Sequence, residues 1–112
     1  MKTYLSFSIE GEINEIKTVD TIFKSDNYSN YSFIDKIKHN KYNFIILYNH
    51  DIIKNITVLP FYNKDIYGEF LLFQIDEQNN LKSLTENKFL KLFNKLKTNI
   101  EDYSSDDFNL SE

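Results

Sequence analysis

Two short runs constrain this chain more than anything else in it. Phe44-Ile45-Ile46-Leu47-Tyr48 and Phe70-Leu71-Leu72-Phe73 are apolar at every consecutive position. Successive side chains of a strand point to opposite faces. A strand with apolar residues at odd and even positions alike has no face to offer water. The first run therefore predicts a strand over residues 42–49 placed centrally in a sheet. Phe70 to Ile75 predicts a second buried strand.

Around this pair the chain punctuates itself. Leu5, Phe7 and Ile9 alternate with Tyr4, Ser6 and Ser8, a period of two with one apolar face. Glu10-Gly11-Glu12 follows, and Gly11 takes the positive φ of a tight turn without steric cost. Ile13 to Val19 reads as a weaker return strand, so residues 3–18 predict an N-terminal hairpin. Residues 25–32, Ser-Asp-Asn-Tyr-Ser-Asn-Tyr-Ser, are dense in turn formers and predict a loop, with Ile22 and Phe23 as apolar anchors before it. Phe33, Ile34 and Ile37 have helical spacing. They predict a short helix over 32–39, capped by Ser32, with Asp35 near its positive end. Residues 52–58 are β-prone but interrupted by Lys54-Asn55. Pro60 ends that segment because it cannot donate to a ladder. Residues 59–68 form an aromatic loop, and 76–82 a polar turn. Ser83-Leu84-Thr85-Glu86 has the pattern of a capping box. The helix after it carries Phe89, Phe93, Leu96 and Ile100 on one stripe, widened by Leu92, and runs to about residue 98.

The fold class that follows is α+β: a small, mainly antiparallel sheet of four or five strands with the C-terminal amphipathic helix packed on one face. The predicted core includes Leu5, Phe7, Ile9, Phe44, Ile46, Leu47, Phe70, Leu72, Phe89, Phe93 and Leu96. If Phe93 is buried, truncating it to alanine costs about 3–5 kcal/mol. With 112 residues the chain fits one domain, taken as residues 1–100, followed by an acidic tail over 101–112 that shows no helical or strand period and is expected to be disordered when free.

Composition narrows the function classes. There is no Cys, so no disulfide framework, thiolate metal site or cysteine nucleophile is available. The two His, His39 and His50, lack metal-ligand spacing. His50-Asp51 is more simply a turn dipeptide than a general-base pair. The acid pairs Glu10/Glu12 and Asp106/Asp107 have no predicted pocket to perturb them. The two Gly, Gly11 and Gly68, lie far apart, so no dinucleotide or phosphate loop can form. No nucleophile elbow occurs. No catalytic residue, metal or cofactor is assigned, and an enzyme would need a site in the 59–68 loop, near Asp51, Tyr62 and Asp65. No run approaches the roughly 20 apolar residues of a membrane span, and the first ten residues alternate rather than forming a signal-peptide core. An intracellular location is expected.

The chain also lacks Ala and Arg, and has 14 Asn and 14 Ile. That bias points to an AT-rich coding sequence, so the Asn clusters and the four N-x-S/T sequons are not read as functional. Missing Arg matters physically, because bidentate recognition of phosphate and guanine uses the guanidinium fork. Lys88, Lys91 and Lys95 on the C-terminal helix offer an alternative binding face for nucleic acid or an anionic surface. The absence of Arg and a nearly neutral body make a solvated outer face the simpler account.

Charge is not evenly spread. Of 17 acids, Glu101, Asp102, Asp106, Asp107 and Glu112 lie in the last twelve residues, which hold no Lys; the other 100 residues carry 12 acids and 13 Lys. Tyr103, Phe108 and Leu110 are set among those acids. Charge keeps such a segment soluble and steers it, while its apolar side chains anchor it. Ser104 lies three residues before Asp107 and suits an acid-directed kinase. Tyr103, Ser104, Asp106, Asp107, Phe108 and Leu110 are therefore the candidate partner-binding residues. The expected function is that of a non-enzymatic interaction protein whose tail docks on a protein partner. A solubilising tail, or one folded back on the body's own Lys residues, are the other readings.

The order Leu59-Pro60, Tyr67-Gly68, Leu71-Leu72, Asp76, Leu84-Thr85 with Phe89 and Phe93, then Glu101-Asp102 in a Ser/Asp-rich end resembles a family of small domains from giant nucleocytoplasmic DNA viruses. The resemblance spans residues 55–107, about half the chain, and this loop has one Pro where that family has two or three. It implies a viral protein of the host cytoplasm or the virion. No catalytic residue carries over from it.

Overall fold

The computed structural model describes residues 1–39 and 41–98, with the side chains of His39 and of residues 95–98 outside that description. The order of elements is β1 (Lys2–Phe7), β2 (Ile13–Thr18), a 3-10 turn (Ser25–Tyr28), β3 (Phe33–His39), β4 (Tyr42–Tyr48), β5 (Phe70–Ile75), β6 (Leu81–Lys82) and α1 (Glu86–Thr98). The strands form one sheet in the order β2-β1-β5-β4-β3, and every pairing is antiparallel. β6 pairs with β5 through Gln74↔Lys82 and Ile75↔Leu81. It thus lengthens the edge of β5 that β1 occupies through Leu5↔Leu72 and Phe7↔Phe70. The architecture is α+β with six strands.

The two apolar runs lie side by side at the centre. All seven residues of β4 and all six of β5 are buried, and the register Ile46↔Leu72 aligns them. Alternation divides them between two clusters. On one face Phe44, Ile46, Phe70 and Leu72 meet Leu5 and Phe7 of β1, Leu59 and Ile66 of the β4–β5 connection, and Leu84, Phe89 and Leu92. This is the helix face, where Phe7 stacks on Phe70 at 4.4 Å and takes Phe89 edge-on at 5.2 Å. On the opposite face Ile45, Leu47, Leu71, Phe73 and Ile75 are covered by Phe23, with Tyr28 and Tyr31 beside it. That cover is the β2–β3 connection. The anchor expected before it is Phe23, while Ile22 stays partly exposed and forms only a bridge to Asn80.

The N-terminal hairpin forms as the alternation predicts, with Gly11 at φ +88° in its turn. The expected helix over 32–39 is instead the strand β3, paired from Phe33↔Tyr48 to His39↔Tyr42. Phe33, Asp35 and Ile37 point to the helix face. The carboxylate in the middle of that row masks the period of two, and Ser32 caps nothing helical. Its hydroxyl and backbone N–H both donate to the Asn49 side chain. The capping pattern is also redistributed. Thr85 Oγ1 accepts from Lys88 N at 3.1 Å and caps α1, while Ser83 Oγ accepts from Thr3 N and ties the chain to β1. The hydroxyl three residues before Glu86 is therefore a sheet contact, and the cap lies two residues later.

Of the predicted core, Leu5, Phe7, Phe44, Ile46, Leu47, Phe70, Leu72 and Phe89 are buried. Ile9 is half-buried, Phe93 only flanks the cluster, and the side chain of Leu96 lies outside the described residues. The helix seam is carried by Phe89 and Leu92. Phe89→Ala is accordingly expected to cost about 3–5 kcal/mol, as for a buried aromatic, and Phe93→Ala distinctly less. Urea unfolding midpoints of the two variants check the order.

Candidate functional site

The connection from β4 to β5, residues 49–69, leaves and re-enters the sheet at the same end as the β1–β2 turn. Its second half faces inward. Leu59 and Ile66 are buried, and Phe61 stacks on Phe44 at 4.6 Å. This part of the aromatic loop covers the sheet. Its first half faces outward, and Asn55 decides how. Asn55 is only 1% exposed. Its Nδ2 donates to Ser8 O at 2.9 Å and Gly68 O at 2.8 Å, and its Oδ1 accepts from Thr57 N at 2.9 Å. Its own N–H donates to Ile66 O, Ile56 N–H to Ile9 O, and Gly68 N–H to Ile53 O. A buried amide with its carbonyl and both amide hydrogens engaged fixes the chain on either side.

With Asn55 turned inward, its neighbours turn out. Ile52 is 89% exposed, Ile53 52%, Ile56 68% and Val58 72%. Residues 52–58, β-prone in sequence, belong to no strand and form only the bridge Lys54↔Tyr67. Gly68 is needed at the base of this arrangement. Its φ is +86°, and a Cβ there would stand 2.9 Å from the Asp51 Cβ.

The surface around these aliphatics is acidic. Ile56 lies against Gly11, between Glu10 and Glu12; both of those acids are exposed. Asp51 precedes Ile52 and accepts its N–H, and exposed Glu69 follows Gly68. Lys54 is paired with Asp65 at 3.2 Å.

Further along the loop, Tyr62 reaches back over β3. Its hydroxyl donates to Asp35 Oδ2 at 2.5 Å and meets the Tyr48 hydroxyl at 3.3 Å. Lys64 Nζ lies 3.4 Å from the same carboxylate oxygen. Burial, then the Asp35 hydrogen bond, raises the Tyr62 phenol well above its ordinary value. It is therefore held as a donor and is poorly suited to act as a base. Beside it, Lys54, Leu59, Tyr62 and Asp65 line a hollow of about 220 Å³, half open to solvent. A second half-open hollow, of about 380 Å³, lies by Asp51, Asn49 and Glu69. His50 and Asp51 do not act as a pair: the Asp51 carboxylate accepts the Ile52 N–H, while His50 lies near the rings of Phe33 and Tyr67.

Among the described residues no group of three or more His, Cys, Asp or Glu is placed to hold a metal ion, and no helix is long and apolar enough to cross a membrane. Of the alternative Lys face, Lys91 is exposed and Lys88 donates to the Ser83 carbonyl; the Lys95 side chain lies outside the described residues. So do Tyr103, Ser104, Asp106, Asp107, Phe108 and Leu110. Comparison with known proteins returned no matching family model, no matching curated protein and no matching solved structure.

Two outcomes are expected. Asn55→Ala strands the Gly68 carbonyl and the Thr57 amide, leaves the Ser8 carbonyl with the Gly11 N–H alone, and is expected to cost about 1–3 kcal/mol. Hydrogen exchange at residues 53–57 should quicken more than at β4. The second outcome concerns alkaline pH. The folded chain holds the Tyr62 proton after the unfolded chain, near its ordinary phenol value of 10.0, begins to release it. Stability is therefore full below that value and falls as pH rises above it. Tyr28, pushed up to about 12, contributes in the same sense. Tyr62→Phe is expected to make the decline shallower in urea melts taken between pH 9 and 11.5.

Proposed function

We propose that this protein is a non-enzymatic interaction module whose pinned aliphatic loop, residues 52–58, seats on a protein partner. The observation that carries the reading is Asn55. Exposed aliphatics are ordinary when scattered. Here four stand within seven residues, on backbone immobilised by a buried amide. A surface ordered before binding loses little conformational freedom when it docks. The partner chemistry follows from the rim. Glu10, Glu12, Asp51 and Glu69 favour an apolar cleft edged by Lys or Arg, since opposed charges steer encounter and fix orientation.

The acidic-aromatic tail is the second docking element of the same proposal. Tyr103, Phe108 and Leu110 provide anchors, and Asp106 and Asp107, with Ser104 when phosphorylated, provide charge. It carries the same sign as the loop's rim, so one basic partner suits both. The Lys helix face is the less favoured reading, because Lys88 already serves the Ser83 carbonyl. The motif order from Leu59-Pro60 to Glu101-Asp102 supports a viral origin as part of this proposal.

The test compares what the full chain retains from the native cell with what two full-length variants retain, Ile52→Ser/Ile56→Ser/Val58→Ser and Tyr103→Ser/Phe108→Ser/Leu110→Ser. The aliphatic positions are exposed, so the melting temperature of the first variant should stay within a few degrees of the parent. Both variants should lose the same basic partner. Retention of an unchanged set of proteins by the loop variant would overturn the reading.

A further inference from the structure

The sheet ends in two edges, β2 and β3, each with a single neighbour in the strand order. An edge strand offers unpaired backbone groups to any strand that can lie beside it. On β2 those groups can be assigned. Thr3 turns its N–H and carbonyl away from β2, toward Ser83 Oγ and the Leu84 N–H. Bonded and non-bonded pairs alternate along an antiparallel ladder. Thr3↔Lys17 is therefore a non-bonded pair of the β1–β2 ladder, and so are Leu5↔Glu15 and Phe7↔Ile13. The N–H and carbonyl groups of Ile13, Glu15 and Lys17 thus point outward, and none is bonded elsewhere among the described residues.

The side chains along that edge carry opposite charges that do not meet. Glu15 and Lys17 stand exposed on the helix face, opposite Leu5 and Thr3. Glu15 Oε2 accepts the Glu86 N–H at 2.8 Å, and Lys17 Nζ donates to Thr3 Oγ1 at 3.1 Å. Neither has an opposite charge within 4 Å among the described residues. Val19, next in the same row, is 77% exposed. On the other face Ile16 is only half-buried, between exposed Asn14 and half-buried Thr18.

We propose that β2 pairs antiparallel with β2 of a second copy of this chain, about a two-fold axis at Ile16. The strand is self-complementary in that register. Glu15 faces Lys17 of the partner subunit and Lys17 its Glu15; Ile13 faces Val19, Asn14 faces Thr18, and Ile16 faces its own equivalent. Glu15 and Lys17 both turn their backbone outward, so they form the bonded pairs across the axis, and backbone and charge agree on one alignment. Sliding the copies by two residues in either direction sets Glu15 opposite Glu15 or Lys17 opposite Lys17, and like charges directly opposite are destabilising. Glu12 and Asp20 lie outside the strand at its two ends. The other edge has no such register: central alignments of β3 with itself place Lys36 opposite Lys36 or Lys38, or Asp35 opposite Asp35. A two-fold contact uses the same patch on both copies and closes at two. The proposal rests on β2 and not on the loop reading above.

Sedimentation equilibrium of the full-length chain is expected to reach twice its 13.4 kDa as concentration rises. Lys17→Glu sets carboxylate against carboxylate, and Glu15→Lys sets ammonium against ammonium, so each variant alone should stay at the single mass. Their equimolar mixture should regain the double mass, because opposite charges then face each other across the axis. The chain has no Cys, so Ile16→Cys places one thiol per copy on the two-fold axis. The Cα atoms of a non-bonded antiparallel pair lie about 4.5 Å apart, within the roughly 4.4–6.8 Å that a disulfide spans. Mild oxidation should cross-link Ile16→Cys into dimers and leave Asn14→Cys and Thr18→Cys largely uncross-linked. If Glu15→Lys fails to fold for want of the Glu86 bond, the cross-linking series decides. The Ile52→Ser/Ile56→Ser/Val58→Ser variant should keep the double mass, which separates this contact from partner capture by the loop. A single mass at every concentration, a dimer that survives Lys17→Glu, or cross-linking of Asn14→Cys as complete as that of Ile16→Cys would overturn the proposal.

Discussion

The pairing of β4 with β5 is the constraint from which the rest of the molecule follows. Thirteen consecutive-position side chains in the two strands are all buried, so both faces of the sheet must be roofed. A chain of 112 residues with one described α-helix cannot roof both faces with helices. α1 covers the β1 side of one face, through Phe89 and Leu92. The β4–β5 connection covers the other side, through Leu59, Phe61 and Ile66. The second face is roofed by the β2–β3 connection, where Phe23 meets Phe73 edge-on at 5.3 Å and stacks on Tyr28 at 5.4 Å. Connections that normally only join elements here serve as core layers.

That economy explains the character of the loop. A roofing segment must be held down, and aromatic contacts alone leave its backbone polar groups to be satisfied. Asn55 meets the need by substituting for a strand partner: it bonds Ser8 and Gly68 across the gap between the β1–β2 turn and the end of the connection. The residues fixed around it must then project either into the sheet or out of it. Ile52, Ile53, Ile56 and Val58 are the ones that project out. The exposed aliphatic surface is thus a by-product of how the core is closed, and it is held by the same bonds that hold the roof.

Polarity runs along the strands. The connections at the Phe7, Phe70 and Tyr48 end bring Glu10, Glu12, Asp51, Asp65 and Glu69 together, against Lys54 and Lys64. The other end gathers Lys2, Lys38, Lys41 and Lys82, against Asp20, Asp76 and Glu77. The proposed loop surface thus sits at the more acidic end, a distribution that overall composition does not reveal.

Periodicity in the sequence determined the central strands, the N-terminal hairpin and the amphipathic helix, because burial imposes those patterns locally. Where a residue's partner is distant in sequence, local pattern misleads. Asp35 interrupts the apolar row of β3, so Phe33, Ile34 and Ile37 take on helical spacing. The carboxylate is tolerable in a strand only because Tyr62 and Lys64 arrive from a loop some 27 positions away. Lys54-Asn55 reads as an interruption of a β-prone run, and the broken run of four aliphatics is the one local trace of the candidate surface. That Asn55 is an anchor depends on Ser8 and Gly68, which only the fold brings to it. The open valence of Gln74 is likewise invisible in a buried strand until the tertiary structure leaves its amide oxygen without a donor.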